Sequence, residues 1–78
     1  MQKTVSIYTT PTCHFCHAAK EFFKTNNIAY NEYDVSVDTA KRSEMVDMTG
    51  QLGVPVIAIG EDLIVGFRED KVRELLGM

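Results

Sequence analysis

The only two cysteines of this chain, Cys13 and Cys16, stand where its hydrophobic pattern changes from the period of a strand to that of a helix. Thr4-Val5-Ser6-Ile7-Tyr8 alternates polar and apolar residues and is rich in β-formers, which predicts a first strand. Thr9-Thr10-Pro11-Thr12 breaks it, and Phe15, Ala18, Ala19, Phe22 and Phe23 then recur at helical spacing as far as Asn26-Asn27. The cysteine pair therefore falls in the first turn of a helix. There, unpaired backbone N–H groups and the positive end of the helix dipole favour a thiolate, the species that attacks disulfides. Stapling is a poor reason for this spacing, because so short a closed loop stabilises a fold by only about 2 kcal/mol. The order of the two thiols makes Cys13, nearer the helix start, the expected nucleophile and Cys16 the resolving thiol.

The remaining pattern completes an α/β domain. Ile28 to Val35 predicts a second strand, and Asp38 to Thr49 a helix capped by Asp38 and ended by Gly50, with Met45, Met48 and Leu52 facing inward. Val54-Pro55-Val56-Ile57-Ala58-Ile59 and Leu63-Ile64-Val65, separated by Gly60-Glu61-Asp62, predict a hairpin. Gly66-Phe67-Arg68 leads to a last helix from about Glu69 to Leu76, with Val72, Leu75 and Leu76 on one face. The predicted order is βαβαββα, a four-stranded mixed sheet flanked by helices, in a single domain over residues 1–78.

Composition narrows the function. The 78 residues carry 45% hydrophobic and 24% charged side chains, and no stretch approaches the roughly 20 apolar residues of a membrane span. The net charge is −3 and the eight basic residues are dispersed, which disfavours nucleic-acid binding, since that affinity rests on clustered cations. Met1-Gln2-Lys3-Thr4 runs into the first strand without a secretory pattern, so a cytoplasmic protein is expected, and a monomer is expected as well.

Two other chemistries use the same cysteines. A tetrahedral zinc site wants four ligands, and Cys13, His14, Cys16 and His17 lie too close in sequence to converge on one ion. A zinc or iron–sulfur site shared between two chains is the competing class. Cys13-His14-Phe15-Cys16-His17 also satisfies the Cys-x-x-Cys-His pattern of c-type haem attachment, with Met45, Met48 or Met78 as a second axial ligand. Alternating strands and helices argue against that largely helical pocket.

The Cys-x-x-Cys after the first strand, Ile7-Tyr8-Thr9 before it, Gly53-Val54-Pro55 later and the Gly66 turn together resemble the glutaredoxins, compact members of the thioredoxin superfamily. The resemblance implies a thioredoxin-like fold and a dithiol–disulfide oxidoreductase that holds no cofactor and acts on disulfide-containing proteins. It also implies a cis Pro55, with the Val54 backbone presented to the bound thiol compound. Thr10, His14, Phe15, Gly66, Phe67 and Arg68 complete the expected substrate surface. His14 is open to two readings, a cation favouring the Cys13 thiolate or a solvated residue at the helix start. Phe15 is open to two as well, an apolar rim or core packing, and His17 reads as surface.

The chain departs from the family at three places. His14 stands where many glutaredoxins have Pro, Thr10 where they have Lys, and Val65-Gly66 where they have Gly-Gly. Gly66-Phe67-Arg68 instead resembles part of the Ser-Gly-Phe-Arg-Pro signature of NrdH-type redoxins, although Glu69 replaces the proline. The implied electron donor is thus glutathione or a flavoprotein of the thioredoxin-reductase type.

Overall fold

The computed structural model describes residues 3–78. Its elements run β1 (Val5–Thr9), α1 (His14–Thr25), β2 (Asn31–Asp34), α2 (Thr39–Thr49), β3 (Val56–Ile59), β4 (Asp62–Val65) and α3 (Glu69–Leu76). The strands form one sheet in the order β2-β1-β3-β4. β1 pairs parallel with β2 and antiparallel with β3, which pairs antiparallel with β4. A parallel pair needs a long crossover, and α1 supplies it. The expected α/β architecture is present, with the element order unchanged.

Strand alternation sends side chains to two cores. Val5, Ile7, Ile57, Ile59 and Ile64 lie on one face with Ala19, Phe22 and Phe23 of α1 and Val72 of α3. Tyr8, Val56 and Val35 lie on the other with Met45 of α2. Because helices cover both faces, consecutive residues Ile7, Tyr8 and Thr9 are all buried, which a strand facing water on one side would not allow.

Several boundaries differ from the sequence expectation. β1 ends at Thr9, not Tyr8, because Thr9 still pairs with Asp34 and its hydroxyl donates to the Glu32 carboxylate at 3.0 Å. β2 starts at Asn31, not Ile28. Asn27 takes a left-handed φ of 56°, the Ile28 N–H bonds the Phe23 carbonyl, and Ile28 and Tyr30 pack on the core below the end of α1. β3 starts at Val56, because Pro55 has no N–H to give a ladder.

The structure also decides between the two readings of Phe15 and corrects the inward placement of Met48 and Leu52. Phe15 is 62% exposed, and Cys16 takes the inward position of the first turn with Ala19, Phe22 and Phe23 behind it. On α2, Met45 is fully buried, but Met48 is 40% exposed, and Leu52 beyond the helix is 57% exposed. α2 contacts the sheet through one narrow stripe only. Asp38 and Gly50 hold the expected ends: the Asp38 carboxylate accepts the Lys41 N–H at 3.0 Å, and Gly50 sits at φ 72°.

Candidate active site

The register of the sheet gathers the site at one end. β1 and β2 both finish there, with Thr9 beside Asp34, so the loops leading to α1 and α2 leave from the same edge. Val56 lies opposite Tyr8, which carries Val54-Pro55 past the start of the Thr10–Cys13 loop. Val65 lies opposite Val56, and the Gly66 N–H donates to the Pro55 carbonyl at 2.7 Å. Gly66 has a φ of 88°, a left-handed conformation that suits glycine at the turn toward α3. The N-termini of the three helices therefore surround this end of the sheet.

Cys13 is the N-cap of α1, with the extended φ and ψ of a capping residue. Its sulfur takes the place of the usual cap oxygen and accepts the Cys16 N–H at 3.2 Å, while its own N–H donates to the Thr10 carbonyl at 3.3 Å. Cys13 is half-buried and Cys16 is fully buried, both as free thiols. Burial pushes the Cys16 thiol up to about 12, and the neighbouring Cys13 adds to the shift. The Thr10 backbone and the Lys20 charge oppose it. The pair is thus built asymmetrically: one sulfur at the surface with an N–H aimed at it, and one behind it held as a thiol.

The Val54–Pro55 bond is cis, as the resemblance implies. Pro55 is buried, and Val54 is half-buried against the Tyr8–Met45 cluster. His14 and Phe15 are exposed on the first turn of α1, their rings edge to face at 5.6 Å. Core packing is thereby excluded for Phe15. Thr10, His14, Phe15, Val54, Pro55 and Gly66 are brought to the same end as the thiols. The Phe67 ring turns to the core instead, half-buried against Phe22 at 5.7 Å. Arg68 is exposed at the N-cap of α3 and makes no side-chain cap bond. His17 is exposed, with its Nε2 at 3.0 Å from the Pro11 carbonyl.

The sequence reading missed three linked polar residues, Thr9, Lys20 and Glu32, of which Lys20 acts on Cys16. Thr9 is buried, and Lys20 Nζ reaches the same Glu32 oxygen at 2.9 Å that Thr9 binds. The legible signal was Lys20 at one helical turn beyond Cys16, which shares its side of the helix. A second link, from the Tyr8 hydroxyl to the Glu44 carboxylate at 3.0 Å, joins β1 to α2.

A four-stranded sheet of this topology with a dithiol at the tip of its first helix defines a thioredoxin-like protein. The glutaredoxin family model matches residues 5–64, and the chain belongs to the glutaredoxin family. It is 40% identical over 72 residues to an uncharacterized glutaredoxin-like 8.6 kDa protein in the rubredoxin operon of Clostridium pasteurianum, covering 92% of this chain and 96% of that one. It is 37% identical over 62 residues to glutaredoxin 3 of Escherichia coli K12, covering 80% and 75%. Among solved structures it resembles the thioredoxin-like protein BC3987, with TM-score 0.87 and 36% identity, covering 94% of this chain and 100% of that one. The Escherichia coli NrdH-redoxin superposes with TM-score 0.81 at 26% identity, covering 92% and 93%. The protein is a thiol–disulfide oxidoreductase.

Proposed function

We propose that this protein reduces protein disulfides, or glutathione mixed disulfides, by attack of Cys13 and resolution by Cys16. The observation that carries this reading is the asymmetry of the pair, with Cys13 reaching the surface at the tip of α1 and Cys16 sealed behind it. The Cys13 thiolate attacks a substrate disulfide, forming a mixed disulfide and expelling the other substrate sulfur as a thiolate. Cys16 then attacks the Cys13 sulfur, the second substrate sulfur leaves, and two electrons have passed from the dithiol to the substrate. The Val54 backbone lies along the incoming chain, Thr10, His14, Phe15 and Gly66 border it, and Arg68 docks the protein partner. The protein works as a monomer in the cytoplasm, without a metal or organic prosthetic group.

For the donor we favour a flavoprotein of the thioredoxin-reductase type over glutathione. Glutathione brings two carboxylates, and Thr10 offers no cation to them. Lys20 and Lys41, on the two helices that flank the site, are already bonded to Glu32 at 2.9 Å and Glu44 at 3.2 Å. Gly66-Phe67-Arg68 points the same way, and the Escherichia coli NrdH-redoxin is a glutaredoxin-like protein with a thioredoxin-like activity profile. Exposed ion pairs contribute only about 0.2–1 kcal/mol, so the loss of one cationic contact weakens glutathione binding several-fold at most and does not forbid it. Oxidised protein incubated with NADPH and thioredoxin reductase of the same source should be reduced faster than with NADPH, glutathione and glutathione reductase. Efficient reduction in the second mixture alone overturns the donor assignment.

A further inference from the structure

Resolution requires a thiolate at Cys16, yet the fold makes that charge costly. The sulfur is fully buried, and burial pushes its thiol up to about 12. Three groups act on it: Cys13 beside it, the Thr10 backbone before the helix, and Lys20 one helical turn further on. Lys20 is the only one of the three that carries a positive charge. Its side chain is half-buried, at 19% relative exposure, and its ammonium is engaged by a carboxylate. Glu32 on β2 holds its ammonium at 2.9 Å, and the Thr9 hydroxyl on β1 holds the same carboxylate oxygen at 3.0 Å. Thr9 is itself 1% exposed, and the carboxylate it grips is kept charged, since the Lys20 contact and then Thr9 hold its pKa below the ordinary range. Three elements thus fix one cation on the helix that carries the buried thiol, one turn further along.

We propose that Lys20, pinned by Glu32 and Thr9, is a positioning residue for the resolving step, its fixed charge stabilising the Cys16 thiolate as it attacks the Cys13 mixed disulfide. The inference rests on the dithiol reading above. In the step, a bond forms between the Cys16 and Cys13 sulfurs and the bond from Cys13 to the substrate sulfur breaks. The substrate sulfur leaves with the electron pair and takes up, through solvent, the proton that Cys16 gives up. Cys16 and Cys13 end oxidised, the substrate reduced, and the Lys20 charge is unchanged throughout.

The test uses the reduced protein and Ellman's reagent, which releases one coloured thionitrobenzoate when Cys13 attacks and a second when Cys16 resolves. The first release depends on reagent concentration and the second does not, so the steps separate in a stopped-flow trace. Lys20 is the last and smallest of the influences on Cys16, so losing its charge should slow the second release about twofold in Lys20→Gln and further in Lys20→Glu, while Lys20→Arg should keep it and the first release should stay constant across the series. A merely structural role would follow side-chain shape rather than charge and would move both releases. If Lys20→Glu does not fold, the comparison of glutamine with arginine still decides. Equal second-release rates for Lys20, Gln and Arg overturn the role of Lys20. A wild-type trace with one thionitrobenzoate per chain overturns the dithiol reading instead.

Discussion

The Cys16 backbone N–H donates to the Cys13 sulfur at 3.2 Å, and of the two thiols only Cys13 reaches solvent. This geometry separates their reactivity. In reduced protein at neutral pH, iodoacetamide should modify Cys13 well before Cys16, as read by mass spectrometry of the digested protein. Cys13→Ser should abolish disulfide reduction, whereas Cys16→Ser should accumulate a mixed disulfide on Cys13. Faster labelling of Cys16 would reverse the two roles.

Met45 and Met48 test which side of α2 meets the sheet. Met45 is fully buried, and Met45→Ala should cost about 2–5 kcal/mol through lost burial and the cavity left behind. Met48 is 40% exposed, and Met48→Ala should change stability by no more than about 0.5 kcal/mol. Urea denaturation of the two variants gives the comparison; similar losses for both would contradict the observed packing.

The ends of α2 are held by local chemistry with little tertiary help. Asp38→Ala removes the acceptor of the Lys41 N–H and should cost about 1 kcal/mol. Gly50 has φ 72° and no atom within 4 Å of where a Cβ would lie, so Gly50→Ala carries backbone strain without a clash, at about 1–2 kcal/mol. Gly50→Asn should recover part of that loss, because asparagine tolerates the left-handed region better than alanine. Equal stabilities for the alanine and asparagine variants would argue against backbone strain as the cause.

Stability should fall on the alkaline side. Burial, then the Glu44 contact, pushes the Tyr8 hydroxyl from 10.0 to about 12, and burial pushes Cys16 from 9.0 to about 12. Both groups are neutral when protonated and their folded values are raised, so the native state holds protons that the unfolded chain has released. Their contribution is complete below pH 9 and is lost as pH rises toward about 12. Urea midpoints measured from pH 8 upward should decline in this window, and Tyr8→Phe should flatten the part above pH 10. An unchanged slope in Tyr8→Phe would remove Tyr8 from the account.

The acid side has the opposite sign. Glu32 is held below its ordinary 4.5 by Lys20 and Thr9, so its contribution is present above that value and is lost as pH falls through the lower folded value. Glu32→Gln should weaken the protein at neutral pH and reduce its further loss in acid. A variant that loses stability in acid as steeply as wild type would show that other carboxylates dominate.

The element order, the dithiol and the caps were legible because each is written in neighbouring residues. Alternation marks β1, Asp38 and Gly50 bracket α2, and Gly66 marks a turn whose φ of 88° favours glycine. Phe15 was ambiguous, because spacing gives a helical stripe but not its absolute rotation. One residue of rotation at the end of α1, where the first turn meets the loop from β1, exchanged Phe15 for Cys16 as the inward side chain. Met48 and Leu52 failed for a related reason: an apolar residue is buried only where a partner surface exists, and α2 meets the sheet along a narrow stripe.

By itself, then, the sequence determined the order of strands and helices and placed two thiols at a helix N-terminus, because backbone propensity, hydrophobic period and capping act over a few residues. Only the tertiary structure decided that Cys16, and not Phe15, would take the inward place in the first turn, and which polar side chains would gather beside the helix. Thr9, Lys20 and Glu32 lie on three different elements, and they meet only because the parallel pairing of β1 with β2 and the packing of α1 across them bring the three side chains together.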